Sequence, residues 1–423
     1  MKNSIEEHVP SEKPGRAEQF FVVFVLLLSN GAFLNVLSIE DGNNRMVAGS
    51  VLMQMLWASL YAGVCFLLVR HCKGFTRRLM CDPWLFALLS LAFLSAAWSS
   101  DPALTIKRSL GLLGTYLLAL YLVMRYDIRK QLTLIACALG FTMLLSVPFG
   151  VFGIGDCGLE VKGWCGIYPH KNTLGMMATL AALVFILRAK VVPEHKWSMR
   201  LLATISLCLL WLSDSKTSLL ALFGTLLVFP YTRLVRRNVW RATVGTAWVL
   251  IAGAVCVYLG ITQWHAVTEV FGRDATLSGR LELWLFSVVM ALQRPWLGYG
   301  YGAFWLDRDG PSARVMTAMG KWHAFYAHNG VLELWLDLGL ISVAVFLIGL
   351  VFCIVRTIIM VRQRNSPESV WPLAILVFVF ITNLAESTVL APNNMLWLLY
   401  VSVVFLVSPV FRNMSSPISS IRG

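Results

Sequence analysis

Four polar clusters stand at the edges of long apolar segments: Pro169-His170-Lys171-Asn172, Ser213-Asp214-Ser215-Lys216-Thr217, Ser278-Gly279-Arg280 and His328-Asn329. A neutral imidazole can take a proton from a hydroxyl as that hydroxyl attacks. Lysine and arginine can hold a phosphate or diphosphate. His328 opens an apolar segment, where a helix N-terminus disfavours its protonation and keeps a base available. Asn329 beside it can cap that helix or orient the ring. Alone, His328 would more often be an interfacial histidine capping a helix. Arg280 heads an amphipathic stretch, so free backbone N–H groups and a positive helix end add to its charge. Lys216 lies between apolar segments in which a central charge costs about 2.5–3.5 kcal/mol. It either tips a hairpin and reaches water or holds an anion near the surface, with Ser213, Ser215 and Thr217 as further donors.

The remaining candidates are weaker one by one. His170 offers a second acid–base or binding group, Lys171 another phosphate contact, and Asn172 a carboxamide at the same helix start. Arg108 opens a span after Trp98-Ser99-Ser100-Asp101-Pro102, and Arg314 lies further along the chain. For these a plain polar helix start accounts for the residues as well as chemistry does. Glu333 and Asp337 sit on the helix that follows His328 and either anchor partners or mark a wet cavity. Most of the nine cysteines are apolar filler, but Cys157 and Cys165 share one outward loop and could form a disulfide there. Aromatics between Trp296 and Tyr326 could stack on sugar faces or form an interfacial belt. The outward loops carry no paired carboxylate motif of the metal-binding nucleotide-sugar kind, no P-loop and no HExxH. The expected chemistry is therefore free of metal, ATP and other cofactors.

Such residues need a lipid-embedded frame. Hydrophobic residues make up 58% of the chain and charged residues 13%, with a mean hydropathy of +0.71. That much apolar surface calls for lipid as the solvent. The runs are long and do not alternate, which excludes an outer-membrane barrel. The expected fold is an all-α polytopic membrane protein with twelve spans, at 19–38, 47–69, 83–98, 109–124, 131–152, 172–188, 200–213, 217–230, 242–261, 329–355, 370–388 and 395–411. Residues 1–18 and 412–423 form tails. The 262–328 segment is a long loop carrying a short amphipathic helix over 281–292.

Basic residues set the orientation. Arg70, Lys73, Arg77 and Arg78, then Arg188, Lys190, Lys196 and Arg200, then Arg233, Arg236, Arg237 and Arg241 fall on one side. That side is cytoplasmic, both termini lie there, and the four clusters and the long loop face outward. The net charge of +13 is then mostly a topology signal rather than a nucleic-acid footprint, for no basic soluble domain carries it. The first span reads as a retained anchor rather than a cleaved signal.

With these residues in view, the chain resembles the O-antigen ligase and Wzy-type polysaccharide polymerase superfamily. The resemblance runs from Trp98-Ser99-Ser100-Asp101-Pro102 through Gly166-Ile167-Tyr168-Pro169-His170-Lys171-Asn172 to Gly339. Gly279-Arg280, Arg294-Pro295-Trp296-Leu297-Gly298-Tyr299-Gly300 and His328-Asn329 stand in the family's order. His328-Asn329 followed after nine residues by Gly339 is similar to the ligase histidine motif, with Ser342 where glycine is usual. Ser215-Lys216-Thr217 stands for the family's serine–arginine–threonine, keeping the charge but losing bidentate geometry. His170-Lys171-Asn172 is nearer to exopolysaccharide polymerases than to lipopolysaccharide ligases.

The resemblance implies a GT-C-like fold in the bacterial inner membrane and a glycan on undecaprenyl diphosphate as substrate. It implies Arg280 and Lys216 on the diphosphate, with Lys171 and Arg108 as further contacts, and His328 as base on an acceptor glycan with inversion. A repeat-unit polymerase is the leading reading, with a chain-length regulator and a flippase of the same pathway as possible partners. A ligase acting on lipid A–core differs from it only in the acceptor. A lipid-linked-sugar flippase is the reading from another class, although transporters tend to carry charges near the midplane.

Overall fold

The computed structural model describes residues 14–32, 51–72, 74–154, 163–238, 240–241, 243–246, 280–306, 310–319 and 325–409. All regular structure among them is helical. The helices are α1 (Arg16–Ser29), α2 (Val51–His71), α3 (Phe75–Leu79), α4 (Pro83–Leu94), α5 (Pro102–Arg125), α6 (Ile128–Phe152) and α7 (Lys171–Val191). Then follow α8 (Lys196–Leu212), α9 (Lys216–Leu226), α10 (Val228–Arg237), α11 (Arg280–Gln293), α12 (Ala313–Met319), α13 (Gly330–Gln363), α14 (Trp371–Thr382) and α15 (Met395–Val407).

The starts of these helices are written in the sequence. Asp82 and Asp101 accept the Leu85 and Leu104 N–H groups, each with proline at the first helical position. Asp127 does the same for Lys130, and Asn394 caps α15 through Leu396 and Trp397. Each such cap is worth about 1 kcal/mol. Apolar residues then fill the centre. α15 is buried along nearly its whole length, and α7 buries an unbroken run from Leu174 to Phe185.

Six stretches are long and apolar enough to cross a membrane: Val51–His71, Pro102–Arg125, Ile128–Phe152, Lys171–Val191, Lys216–Arg237 and Gly330–Gln363. Apolar helices over Pro83–Ala97, Pro367–Thr382 and Met395–Val407 are shorter. The chain is thus a polytopic helical protein, and six rather than twelve of its described stretches reach spanning length. The ninth expected span, 242–261, lies almost wholly outside the described residues, as do residues 33–38 of the first. The expected 217–230 segment is longer than hydropathy suggests, because α9 runs on into α10. The expected 370–388 span is shorter: α14 stops at Thr382, and residues up to Asn394 form a loop before α15.

One helix is broken. Gly339, inside α13, has φ 76° and ψ −179°. A side chain there would place Cβ 2.0 Å from the Trp296 carbonyl oxygen, so only glycine fits. The break frees backbone groups that need partners at membrane depth. The glycine-rich stretch after α11 supplies them: the Tyr299 and Gly300 N–H groups donate to the Leu336 and Asp337 carbonyls at 2.9 and 3.0 Å. In return the Leu340 N–H and the Trp335 indole donate to the Pro295 carbonyl at 2.8 and 3.1 Å. The break therefore seats the loop that follows α11 against the helix that follows His328.

Candidate functional site

Glu386, in the loop between α14 and α15, gathers the site. Its Oε1 accepts from Asn172 Nδ2 at 2.9 Å and from Arg280 Nη2 at 3.1 Å. Its Oε2 lies 3.5 Å from His328 Nδ1, and Arg280 Nη2 is also 3.5 Å from that nitrogen. One carboxylate thus joins the start of α7, the start of α11 and the turn before α13. The side chains of Arg280, His328 and Glu386 are 17%, 14% and 12% exposed, mostly out of water yet reachable. Burial pushes the Glu386 carboxyl up. The hydrogen bond and charge of His328, the charge of Arg280 and the Asn172 amide outweigh it and hold the group below the usual carboxylate value.

His328 does not open the helix. It stands one residue ahead of the cap, with φ 51°, a left-handed conformation rare for a residue with a side chain. Asn329 is the N-cap, its Oδ1 accepting the Val331 and Leu332 N–H groups at 3.1 and 3.0 Å. The imidazole therefore stands ahead of the helix start and faces the Glu386 carboxylate. The Tyr326 ring lies over the imidazole with centroids 4.1 Å apart. Burial, with Glu386 next to it, raises the Tyr326 hydroxyl and keeps it protonated.

His170 caps α7: its Nδ1 accepts the Asn172 N–H at 3.1 Å, which needs an unprotonated ring. Burial lowers its pKa; Glu386 opposes this, while His328, Lys171 and Arg280 reinforce it. Lys171 Nζ lies 3.6 Å from Asp214 Oδ2. Lys216 is exposed at the start of α9, on the same turn as Asp214.

The serines of that cluster differ from expectation. Ser213 and Ser215 are buried, with their hydroxyls on the Leu210 carbonyl at 2.7 Å and on Ser218 Oγ at 2.8 Å. Gly175 of α7 makes the close approach possible, since a Cβ there would stand 2.6 Å from Ser215 Cβ. These hydroxyls are spent on bonds within α8 and the first turn of α9, where they pack beside Gly175 of α7.

Other expected residues lie off this cluster. Arg108 Nη1 donates to the Gly302 carbonyl at 2.6 Å, joining α5 to the glycine-rich loop. Arg314 is exposed, 3.4 Å from Gln293 Oε1. Cys165 is disulfide-bonded, while its expected partner Cys157 lies outside the described residues. The Trp164 N–H next to it donates to the Leu212 carbonyl at 2.9 Å, buttressing the turn that holds Asp214. Ser278 and Gly279 also lie outside the described residues.

Sequence reading missed Glu386. The signal was present: a carboxylate inside an apparent 370–388 span is costly in lipid, so it should have marked either a loop or a site. Asn383 makes the loop. Its Oδ1 accepts the Thr388 and Val389 N–H groups at 2.8 and 3.1 Å, and its backbone carbonyl accepts the Gly330 N–H at 2.9 Å.

Residues 201–347 match the family model described as O-antigen ligase, a stretch that includes Lys216, Arg280 and His328. Over 341 residues the chain is 26% identical to "Exopolysaccharide production protein ExoQ" of Rhizobium meliloti (strain 1021), covering 77% of each chain. Over 269 residues it is 24% identical to "Putative polysaccharide ligase RP358" of Rickettsia prowazekii (strain Madrid E), covering 62% of this chain and 58% of that one.

Proposed function

This chain belongs to the O-antigen ligase and Wzy-type superfamily, and from that premise we propose that it polymerises lipid-linked oligosaccharide repeat units into an exopolysaccharide. The donor is a glycan on undecaprenyl diphosphate, presented at the periplasmic face of the bacterial inner membrane. The observation that carries the reading is the Glu386-centred cluster, a base and an anion-binding arginine sharing one carboxylate.

The chemistry follows from that geometry. With Nδ1–H directed at Glu386, His328 leaves Nε2 unprotonated for the acceptor hydroxyl. That hydroxyl oxygen bonds to the anomeric carbon of the donor sugar as the bond from that carbon to the diphosphate oxygen breaks. The proton passes to Nε2, and attack opposite the leaving group inverts the centre. Arg280 has N–H groups beyond its contact with Glu386, and Lys216 stands exposed. Both stabilise the charge that develops on the leaving diphosphate, with Lys171 at the edge. Arg108 acts at a distance, by holding Gly302.

The resemblance to the Rhizobium exopolysaccharide protein and the His170-Lys171-Asn172 segment favour polymerisation over transfer to lipid A–core. The experiment is to size lipid-linked glycans and surface polymer from a deletion strain complemented with wild type or His328→Ala. Single lipid-linked units accumulating without polymer support the polymerase. Long lipid-linked chains with bare lipid A–core would show a ligase, and units held on the cytoplasmic face would show a flippase.

A further inference from the structure

We propose that Glu333 and Ser387 are positioning residues that clamp the two peptide N–H groups flanking His328 and so fix where its imidazole stands. The inference rests on the reading of His328 as the base. Glu333 Oε2 accepts the Ala327 N–H at 2.6 Å. Ser387 Oγ accepts the Asn329 N–H at 3.1 Å and itself lies 3.5 Å from Glu333 Oε2. The residue between those two amides is His328, at φ 51°. A side-chain-bearing residue keeps that conformation only where its surroundings over-determine it.

The arrangement departs from ordinary helix capping. A capping box returns a side chain from the third helical residue to the cap's own N–H. Here Glu333 stands four residues beyond the cap Asn329 and reaches over it to Ala327, which leaves the Asn329 N–H to Ser387. The helix start is already satisfied by Asn329 itself and by the Gly330 bond to the Asn383 carbonyl. Glu333 and Ser387 therefore add little to the helix and much to the turn before it. Ser387 also follows Glu386 in the chain, so the clamp ties the backbone of the base to the backbone of the carboxylate that orients it. Among the described residues, Arg280 and Asn172 hydrogen-bond to Glu386 rather than to either of these side chains.

The test uses the full-length protein in liposomes, with lipid-linked glycan extracted from a deletion strain as the probe. Folded abundance, kcat and KM are measured for Glu333→Leu, Glu333→Gln, Ser387→Ala and, as a reference, His328→Ala. Displacing a catalytic group by about an ångström costs on the order of a hundredfold. Glu333→Leu should lose about that much kcat, with KM for the donor little changed. Glu333→Gln, which keeps an acceptor oxygen of the same reach, should recover most of it, and Ser387→Ala should lose less than Glu333→Leu. If Glu333→Leu fails to fold, a lowered kcat at unchanged KM in Ser387→Ala still supports the clamp, and wild-type kcat there overturns it. The clamp is also overturned if Glu333→Leu turns over normally, or if Glu333→Gln is as impaired as Glu333→Leu. Full turnover by His328→Ala would instead bring down the base itself.

Discussion

The molecule contains two clusters in which an arginine meets a glutamate close to tyrosine, and they differ in geometry and in how exposed the pair is. Near the start of α1, Glu18 meets Arg125 through two contacts, Nε to Oε1 at 2.7 Å and Nη2 to Oε2 at 3.1 Å, while the hydroxyls of Tyr121 and Tyr126 donate to Oε1. The side chains of Arg125 and Glu18 are 2% and 9% exposed. Around Glu386, the guanidinium makes one contact with the carboxylate at 3.1 Å, Asn172 donates at 2.9 Å, the histidine stands at 3.5 Å, and the Tyr326 ring lies tilted against the imidazole. The first cluster is a closed fork, with the geometry of an anchor between α1 and α5. The second stands at a reachable surface, with its arginine, histidine and glutamate side chains 17%, 14% and 12% exposed. Both hold an arginine on a glutamate, but only the second adds a histidine and an asparagine and leaves the group within reach of solvent.

Exchanging the perturbation between them should separate catalysis from stability. His328→Ala and Arg280→Ala should each lower polymer formation by roughly a thousandfold, since acid–base and charge-stabilising groups contribute on that scale. Membrane abundance should stay near wild type in both. Arg125→Ala should do the reverse. Breaking a buried pair from one side strands a charge at a cost of about 3–5 kcal/mol, so folded protein should fall while turnover per folded molecule holds. Immunoblots of membranes beside polymer sizing measure both quantities. Wild-type polymer from His328→Ala, or an inactive but abundant Arg125→Ala, would break the contrast.

Glu386→Gln sharpens the comparison, because it removes charge and keeps shape. A glutamine can still face Asn172 and Arg280, but it no longer offers a carboxylate to the imidazole. Activity should fall on the order of a hundredfold, the scale of a misoriented catalytic group, with insertion unaffected. In the closed cluster, the matching Glu18→Gln should reduce abundance and leave turnover per molecule alone.

The two clusters were not equally legible in the sequence, and the reason is local geometry. Arg280, His328 and Asn172 could be named because each interrupts an apolar run, and the structure brings these three onto one carboxylate. Glu386 was hidden because hydropathy averages over a window, whereas α14 ends at Thr382 through the side chain of a single residue, Asn383. The break at Gly339 was invisible for a different reason. An unbroken apolar helix and one interrupted at a glycine read alike, and only pairing with residues far back in the chain, Pro295 to Gly300, makes the break favourable. Ser213 and Ser215 failed in the opposite direction: their type suggested anion donors, but the approach of Gly175 buries them.

Lys216 is a smaller test of the same principle. It stands exposed beside a turn whose acidic residue, Asp214, faces Lys171. If it serves as a plain cation for the diphosphate, Lys216→Arg should keep or improve activity, for arginine adds bidentate geometry without losing charge. Lys216→Ala should raise KM for the lipid-linked donor by several-fold. Activity lost in Lys216→Arg would mean that the compact ammonium has a steric or proton-transfer duty that charge alone does not explain.

The smallest expected effect concerns pH at the start of α7. Burial lowers the pKa of His170 in the folded protein, so the folded state favours the neutral ring. Below the unfolded value of about 6.5 the unfolded chain binds more protons than the folded one, and stability falls as pH falls. Above that value the contribution is flat. Protonation also removes the Nδ1 lone pair that accepts the Asn172 N–H, and Asn172 is one of the donors that hold Glu386. Acidification should therefore loosen the site from the α7 side while leaving the closed cluster at Glu18 in place. Asparagine is a good N-cap without a titratable ring, so His170→Asn should cost no more than about twofold near pH 8 and flatten the part of the acid-side decline that His170 causes. Activity of both proteins measured from pH 8 down to pH 5 decides it. Parallel declines would assign that limb to the other groups around Glu386 and leave His170 as a helix cap alone.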